Sequence, residues 1–235
     1  MIAMKTIFIL ILSVFIVSAA YGQMPLLGDK APKFEAKSTT GELKFPGDFY
    51  GKWKILFSHP ADFTPVCTTE IIELSFLEDE FKSHNTALVV LSTDGLNSHM
   101  EWIKSMESIS YKDKGKVQIN FPIVADVGLD ISRKYGMIHP NNNSTKDVRA
   151  VFIIDPDDKI ATIFYYPDNV GRNIDEILRT LIALQEVYVK DRLTPANWEK
   201  GDKLLFHSPA SKAEAKKMES KKNVSSLTWY LWYED

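Results

Sequence analysis

The sequence has a single cysteine, Cys67, in 235 residues. One thiol cannot close a disulfide within its own chain. It is also too few for a structural zinc site, which takes several cysteine or histidine ligands. The five histidines, His59, His84, His99, His139 and His207, are scattered, and none pair at metal-ligand spacing, so no metal is expected. No glycine-rich phosphate loop and no internal repeat is present. An excess of positive charge is missing too: the formal net charge is -3, which argues against a nucleic-acid partner. The one long apolar run, Ile7 to Val17, is interrupted at Ser13 and is short for a membrane span.

That run has the layout of a secretory signal over residues 1–22. Lys5 supplies the positive start, and Ser18-Ala19-Ala20-Tyr21-Gly22 supplies small residues for cleavage before Gln23. The expectation is an exported chain, periplasmic or secreted. Two alternatives stand beside it: an uncleaved anchor, and a cytoplasmic chain starting at Met24.

Further along, strand and helix patterns alternate. Ala31 to Ala36 reads as a short edge strand behind Pro32, Thr39 to Glu42 as a turn and Phe45 to Gly51 as loop. Trp53 to Ser58 is a mostly apolar, buried strand, followed by a loop over His59 to Thr64. A helix then starts with Thr64 as N-cap and Pro65 as first residue, and its apolar spacing runs to about Ser83. Thr86 to Ser92 is the next strand. A helix carries Met100, Trp102, Ile103 and Met106. After a short extended segment at Phe121 to Asp126 and a short helix near Gly128 to Tyr135, Arg149 to Ile154 and Ile160 to Tyr166 form a hairpin. Asn173 to about Lys190 is an amphipathic helix. The order predicts an α/β domain with a mixed central sheet over residues 24–190. From 191 to 235 the composition shifts, through a lysine-rich stretch to a closing aromatic run at Leu227 to Tyr233, which reads as a C-terminal extension.

Cys67 has two readings: a buried small apolar residue, or a reactive thiol. Its neighbours favour the second. With Thr64 as N-cap, Cys67 lies in the first helical turn, where backbone N–H groups lack intrahelical partners and the helix dipole is positive. Both effects favour the thiolate, the form that acts as nucleophile and that peroxide oxidises to sulfenic acid. Pro60 and Pro65 stiffen the entry. Arg149 is the candidate side-chain cation, since arginine stays charged and offers a fork of donors; an ordinary surface charge is the alternative.

The stretch His59-Pro60-Ala61-Asp62-Phe63-Thr64-Pro65-Val66-Cys67-Thr68-Thr69-Glu70 resembles the active-site loop of the peroxiredoxins, whose signature is Pro, three residues, Thr or Ser, two residues, Cys. It is most similar to the one-cysteine, peroxiredoxin-6-like subfamily. Asp147 to Pro156, Tyr166-Pro167 with Gly171-Arg172-Asn173, and Thr194 to Trp198 extend the resemblance over about residues 25–233. It implies a thioredoxin-like fold with a C-terminal dimerisation extension, and a homodimer or a ring of dimers. It implies that Cys67 is the peroxidatic cysteine and that Thr64 hydrogen-bonds the thiolate and the incoming peroxide. By the same resemblance Arg149 stabilises the thiolate and orients the peroxide oxygens, Pro60 shields the site, His59 lies near the cysteine and tunes it, and Glu70 and Arg172 hold the arginine network.

The implied function is a thiol-dependent peroxidase that reduces hydrogen peroxide and organic hydroperoxides without a metal or organic cofactor. Lacking a second cysteine, the chain needs an external thiol or thiol protein to reset it. Some animal members carry a lipase-like Gly-Asp-Ser-Trp-Gly stretch; here that place reads Tyr50-Gly51-Lys52-Trp53-Lys54, so a phospholipase activity is not supported. The rival readings are a peroxide-sensing redox switch and a holdase chaperone. A thiol–disulfide oxidoreductase would want Cys-x-x-Cys, and position 70 is Glu70.

Overall fold

Apolar runs with little alternation belong in strands covered on both faces, and the centre of the sheet is built from them. The computed structural model describes residues 24–142 and 145–235; the expected signal segment lies outside them. All six residues of β3 (Trp53–Ser58) and all six of β6 (Arg149–Ile154) are buried. So is β4 (Thr86–Ser92) apart from Ala87. With β1 (Phe34–Ser38), β2 (Gly41–Phe45), β5 (Ile123–Ala125) and β7 (Ile160–Tyr166) they form a seven-stranded sheet in the order β2-β1-β5-β4-β3-β6-β7. The pairs β3–β4 and β4–β5 are parallel and the others antiparallel, so the sheet is mixed, as the sequence predicts. One charge sits mid-strand: Lys54 is buried, and its ammonium is held by the Asp155 carbonyl (3.1 Å) and the Asp158 carboxylate.

The parallel pairs need crossovers. Helix α1 (Pro65–Phe76) and the short α2 (Glu78–Ser83) link β3 to β4, and α3 (Leu96–Glu107) leads on towards β5. The short α4 (Asp130–Lys134) follows β5. Two expectations change here. The helix from Thr64 does not run unbroken to Ser83: Leu77, at φ -100° and ψ 2°, separates α1 from α2. Apolar spacing continues across that break, because it records which side faces the core and not whether the backbone bonds persist. The first strand is not an edge either. β1 pairs with β2 on one side and touches β5 at Ser38↔Val124 on the other, leaving β2 at the edge. That edge strand takes in Gly41 and Glu42, read as the end of a turn, and Phe45, read as the start of a loop, since Leu43 and Phe45 alternate inward.

The described backbone divides into two units, one ending at Arg172 and the other Asn173–Asp235. The division falls before helix α5 (Ile174–Val189), whereas the composition shift comes after it. Asn173 caps α5 by accepting from the Glu176 N–H at 3.1 Å. Within this second unit, Ala183, Trp198 and Leu204 form one apolar cluster. Helix α6 (Lys212–Glu219) and the hairpin of β8 (Val224–Thr228) and β9 (Leu231–Glu234) form another, around Ala215, Met218 and Trp232.

Candidate active site

In sheets with parallel strands, ligand sites gather beyond the carboxyl ends of those strands. β3 ends at Ser58, and the next residues are the loop 59–64 and the first turn of α1. Thr64, in extended conformation, is the N-cap and Pro65 opens the helix. Cys67 is therefore in the first turn, as its spacing from Thr64 predicts. Phe63, just before the cap, holds φ 53°, a left-handed conformation uncommon for a bulky residue, and its side chain is exposed. This sharp reversal carries the chain into the helix.

Arg149 arrives by topology. β6 runs antiparallel to β3 with Phe57 opposite Val151, so the start of β6 lies beside the end of β3. Arg149 is the first residue of β6. Its Nη1 donates to Cys67 Sγ at 3.3 Å and to Glu70 Oε2 at 2.7 Å. Its Nε and Nη2 both donate to the Asp168 carbonyl, at 3.0 and 2.7 Å, just past the end of β7. The guanidinium is thus fixed on one side by backbone and on the other by the cysteine and the glutamate. Cys67 is wholly buried. It is an interior residue, and it lies within hydrogen-bond distance of a cation.

Below this pair lies Arg172. Its Nε and backbone N–H donate to Glu70 Oε1 at 2.9 and 2.8 Å, and its Nη2 to Glu70 Oε2 at 2.8 Å. Nη1 donates to the carbonyls of Ser58 and Ala150, at 2.8 and 2.9 Å. Its guanidinium lies over Phe57, 3.3 Å from the ring centre. Burial works against ionisation of Glu70, but Arg172, and after it Arg149, hold its carboxyl below the usual carboxylate range. Two buried guanidinium groups and one buried carboxylate leave one positive charge unmatched. Cys67, within hydrogen-bond reach of Arg149, is placed to supply the balancing negative charge as a thiolate.

The other expected residues fall around this core. Pro60 and Thr64 are half-buried in the loop. The Thr64 hydroxyl gives its single proton to the Ala61 carbonyl at 2.8 Å. In this arrangement its proton braces the loop, where the resemblance implies a hydrogen bond to Cys67. A hydroxyl satisfied by the nearest carbonyl is the default in a tight loop. His59 is fully buried, with Nε2 2.9 Å from Asp62 Oδ1. Asp62 Oδ2 lies 2.8 Å from His99 Nδ1 on α3. Sequence reasoning did not single out Asp62 or His99. The available signal was a histidine on the buried stripe of α3 with Trp102 and Met106, where a polar ring needs a partner.

Replacing Arg149 by Met keeps much of the buried volume and removes the donor to Cys67. We expect peroxide-driven oxidation of the thiol to slow by about a hundredfold or more. Stopped-flow rates on the reduced variant check this, and a rate equal to the wild type would remove Arg149 from the chemistry.

A different carboxyl stands two residues before Arg149. Asp147 is fully buried, and among the described residues neither of its oxygens has a hydrogen-bond partner. Ser132 cannot donate to it, because its one hydroxyl proton goes to Asp126 Oδ2 at 2.5 Å. Burial, reinforced by the nearby Asp126 and Asp94 charges, pushes the Asp147 pKa up to about 8. Between the unfolded value of 3.8 and about 8, the unfolded chain has lost a proton that the folded chain keeps, so stability falls as pH rises through that window. Asp147→Asn does not titrate. It should match the wild type near pH 4 and be more stable by roughly 1–3 kcal/mol at pH 8, allowing for local relaxation and water entry. Urea unfolding at the two pH values checks this; a stability difference that does not change with pH would refute it.

Comparison with known proteins places this geometry. Residues 27–163 match the model of the AhpC/TSA family. A peroxiredoxin of Methanosarcina mazei is 47% identical over 211 residues, covering 88% of this chain and 96% of that protein. One of Thermotoga maritima is 45% identical over 216 residues, covering 90% and 98%. Among solved structures, a yeast mitochondrial 1-Cys peroxiredoxin, described as resolving its thiol via glutathione/thioredoxin systems, superposes with TM-score 0.78 at 36% identity, covering 90% of this chain and 99% of that one. A cysteine-to-serine mutant of peroxiredoxin 6 of Arenicola marina gives TM-score 0.78 at 38% identity, covering 89% and 97%. With a thioredoxin-like mixed sheet, a lone cysteine at a helix start and an arginine bonded to it, the chain belongs to the AhpC/TSA family, among its one-cysteine peroxiredoxins.

Proposed function

We propose that the chain reduces hydrogen peroxide and organic hydroperoxides at Cys67 and is reset by an external thiol. The observation that carries this is the Arg149 Nη1–Cys67 Sγ bond of 3.3 Å, made by a guanidinium that is anchored through Nε and Nη2 on the Asp168 carbonyl and through Nη1 on Glu70. The Cys67 thiolate attacks one peroxide oxygen in line with the O–O bond. An S–O bond forms, the O–O bond breaks, and sulfur loses two electrons. The departing oxygen takes a proton and leaves as water or an alcohol, and Cys67 becomes sulfenic acid. Arg149 binds the peroxide oxygens and stabilises the charge that moves onto them. Thr64 joins it once peroxide displaces the Ala61 contact, while Pro60 limits the access of water.

Reduction takes two equivalents of external thiol. The first forms a mixed disulfide with release of water, and the second releases Cys67 and the external disulfide. A low-molecular-weight thiol or a small thiol protein can fill this place. The test is turnover of hydrogen peroxide with each class of thiol. Sustained turnover supports the peroxidase, and consumption that stops after one equivalent per chain supports a sensor.

We infer further that the chain is exported with residues 1–22 removed, and that it works as a homodimer or a ring of dimers. The exposed Leu227, Trp229 and Tyr230 of the C-terminal hairpin supply apolar surface for a second copy to cover. A mature N-terminus at Gln23 and a light-scattering mass of at least two chains are the expected results. Retention of Met1 or Met4, or a monomer mass, would refute them.

A further inference from the structure

Around the candidate site the histidine–aspartate–histidine chain has no assigned role beyond His59 itself. Its three members are almost completely buried: His59 and His99 are 0% exposed and Asp62 7%. Asp62 gives one carboxylate oxygen to each ring, at 2.9 Å to His59 Nε2 and 2.8 Å to His99 Nδ1. Its backbone N–H is tied to Asp94 Oδ2 at 2.7 Å, and Asp94 is in turn paired with Lys146 at 2.5 Å. The His59 backbone N–H is bonded to the Leu91 carbonyl at 3.0 Å. The loop is thus pinned to β4, to the Asp94 turn behind it and to α3 before it turns into α1.

The unpaired nitrogens fix the protonation pattern. His59 Nδ1 and His99 Nε2 are buried and have no hydrogen-bond partner among the described residues. In a neutral ring, the nitrogen facing the carboxylate carries the proton and the other keeps a lone pair. A charged ring would place an N–H on each orphan position, buried with no acceptor, at a cost of about 1–3 kcal/mol. Two neutral donors on one carboxylate satisfy all the hydrogens present. Burial also lowers the His59 pKa, against the opposing pull of Asp62. Asp62 resists ionisation through its burial, yet the hydrogen bonds from His59 and His99 carry its pKa far below the usual carboxylate range.

We propose that His99 is a positioning residue for the peroxide step: by holding the second oxygen of Asp62 it keeps His59 neutral, donating from Nε2, so that no further positive charge titrates beside the Cys67–Arg149–Glu70–Arg172 cluster. The charged and titratable groups that face His59 are Asp62 from its own loop, His99 from α3 and Arg172 from beyond β7. The Asp94–Lys146 pair reaches the loop through the Asp62 backbone. Arg172 links this chain to the site, because it bonds both the Ser58 carbonyl, next to His59, and Glu70, which Arg149 shares. Without the His99 donor, Asp62 would draw a proton onto His59, and the balanced cluster would gain a charge.

The inference rests on the peroxidase reading for its consequence, but its first test needs no peroxide. Nitrogen-15 NMR of the histidine rings in the reduced wild-type protein should show His59 protonated on Nε2 only and His99 on Nδ1 only, at about neutral pH. The opposite tautomers, or an imidazolium at either ring, would overturn the proposal whatever the activity. The second test compares pH profiles of single-turnover thiol oxidation. His99→Asn, whose amide N–H can take the place of Nδ1–H, should keep the wild-type profile. His99→Leu should add an inflection between about pH 6 and 8, near the range where an unperturbed histidine titrates. A His99→Leu profile parallel to the wild type would reduce His99 to a packing residue. If that variant does not fold, the ring tautomers still decide. If the wild type shows no peroxidase activity, the functional reading fails while the tautomer result stands separately.

Discussion

Cys67→Ser is expected to abolish peroxide reduction, with a loss of at least about a thousandfold, and to leave the chain folded. The serine hydroxyl stays protonated at neutral pH and is a poor nucleophile towards the O–O bond without an adjacent base. Arg149 Nη1 points at the sulfur, and a guanidinium donates protons without accepting one. The volume change is small and the side chain is buried, so the structural cost should be modest. What changes is charge: the two guanidinium groups keep only Glu70 as a counterion. The check is peroxide consumption with an excess of thiol, beside intact-mass analysis for the addition of one oxygen. Substantial turnover, or oxygen addition that persists after peroxide treatment at low dose, would move the chemistry to another residue.

Glu70→Gln should be the most damaging substitution for stability. The carboxylate accepts one hydrogen bond from Arg149 and three from Arg172, and it is buried. Glutamine keeps the shape but places an NH2 where an oxygen accepted, and it removes the carboxylate that both guanidinium groups share. Breaking a buried ion pair from one side typically costs about 3–5 kcal/mol, because the remaining charge stays buried and unmatched. The pH dependence has a definite sign. The folded pKa of Glu70 is depressed below its ordinary value of 4.5, so its contribution is fully present above that value and is lost as pH falls through the folded pKa. The wild type should therefore lose stability on the acid side more steeply than the variant. Denaturant titrations at neutral pH and at about pH 4 check both parts. A loss under about 1 kcal/mol at neutral pH would show that the cluster relaxes or admits water on losing the carboxylate.

Much of the site was legible because it is local. Thr64, Pro65 and Cys67 lie in one short stretch, and helix-start rules place the cysteine in the first turn without any knowledge of the fold. The direction of the Thr64 hydroxyl was not legible, since several acceptors compete within one loop and only the folded loop selects Ala61. Glu70 and Arg172 were named only through the family resemblance. Residue types cannot show that 102 positions of separation close to 2.9 Å. Asp62 lay inside the recognised stretch, but its partner His99 is 37 residues away on another element.

The same division holds for the fold. β3, β4 and β6 are apolar runs, and their burial on both faces follows from composition. The place of β1 between β2 and β5 depends on which backbone edges pair, and backbone hydrogen bonds carry no side-chain signature. By itself the sequence determined a lone thiol at a helix start and an α/β order of elements, since each follows from residue type and spacing; the need for an external reductant came with the family resemblance, because one cysteine leaves no second thiol in the chain. Only the tertiary structure decided that Arg149, Glu70, Arg172 and the His59–Asp62–His99 chain converge near that thiol. The reason is physical: buried charges are tolerable only where their partners meet, and an antiparallel β3–β6 register sets that meeting point.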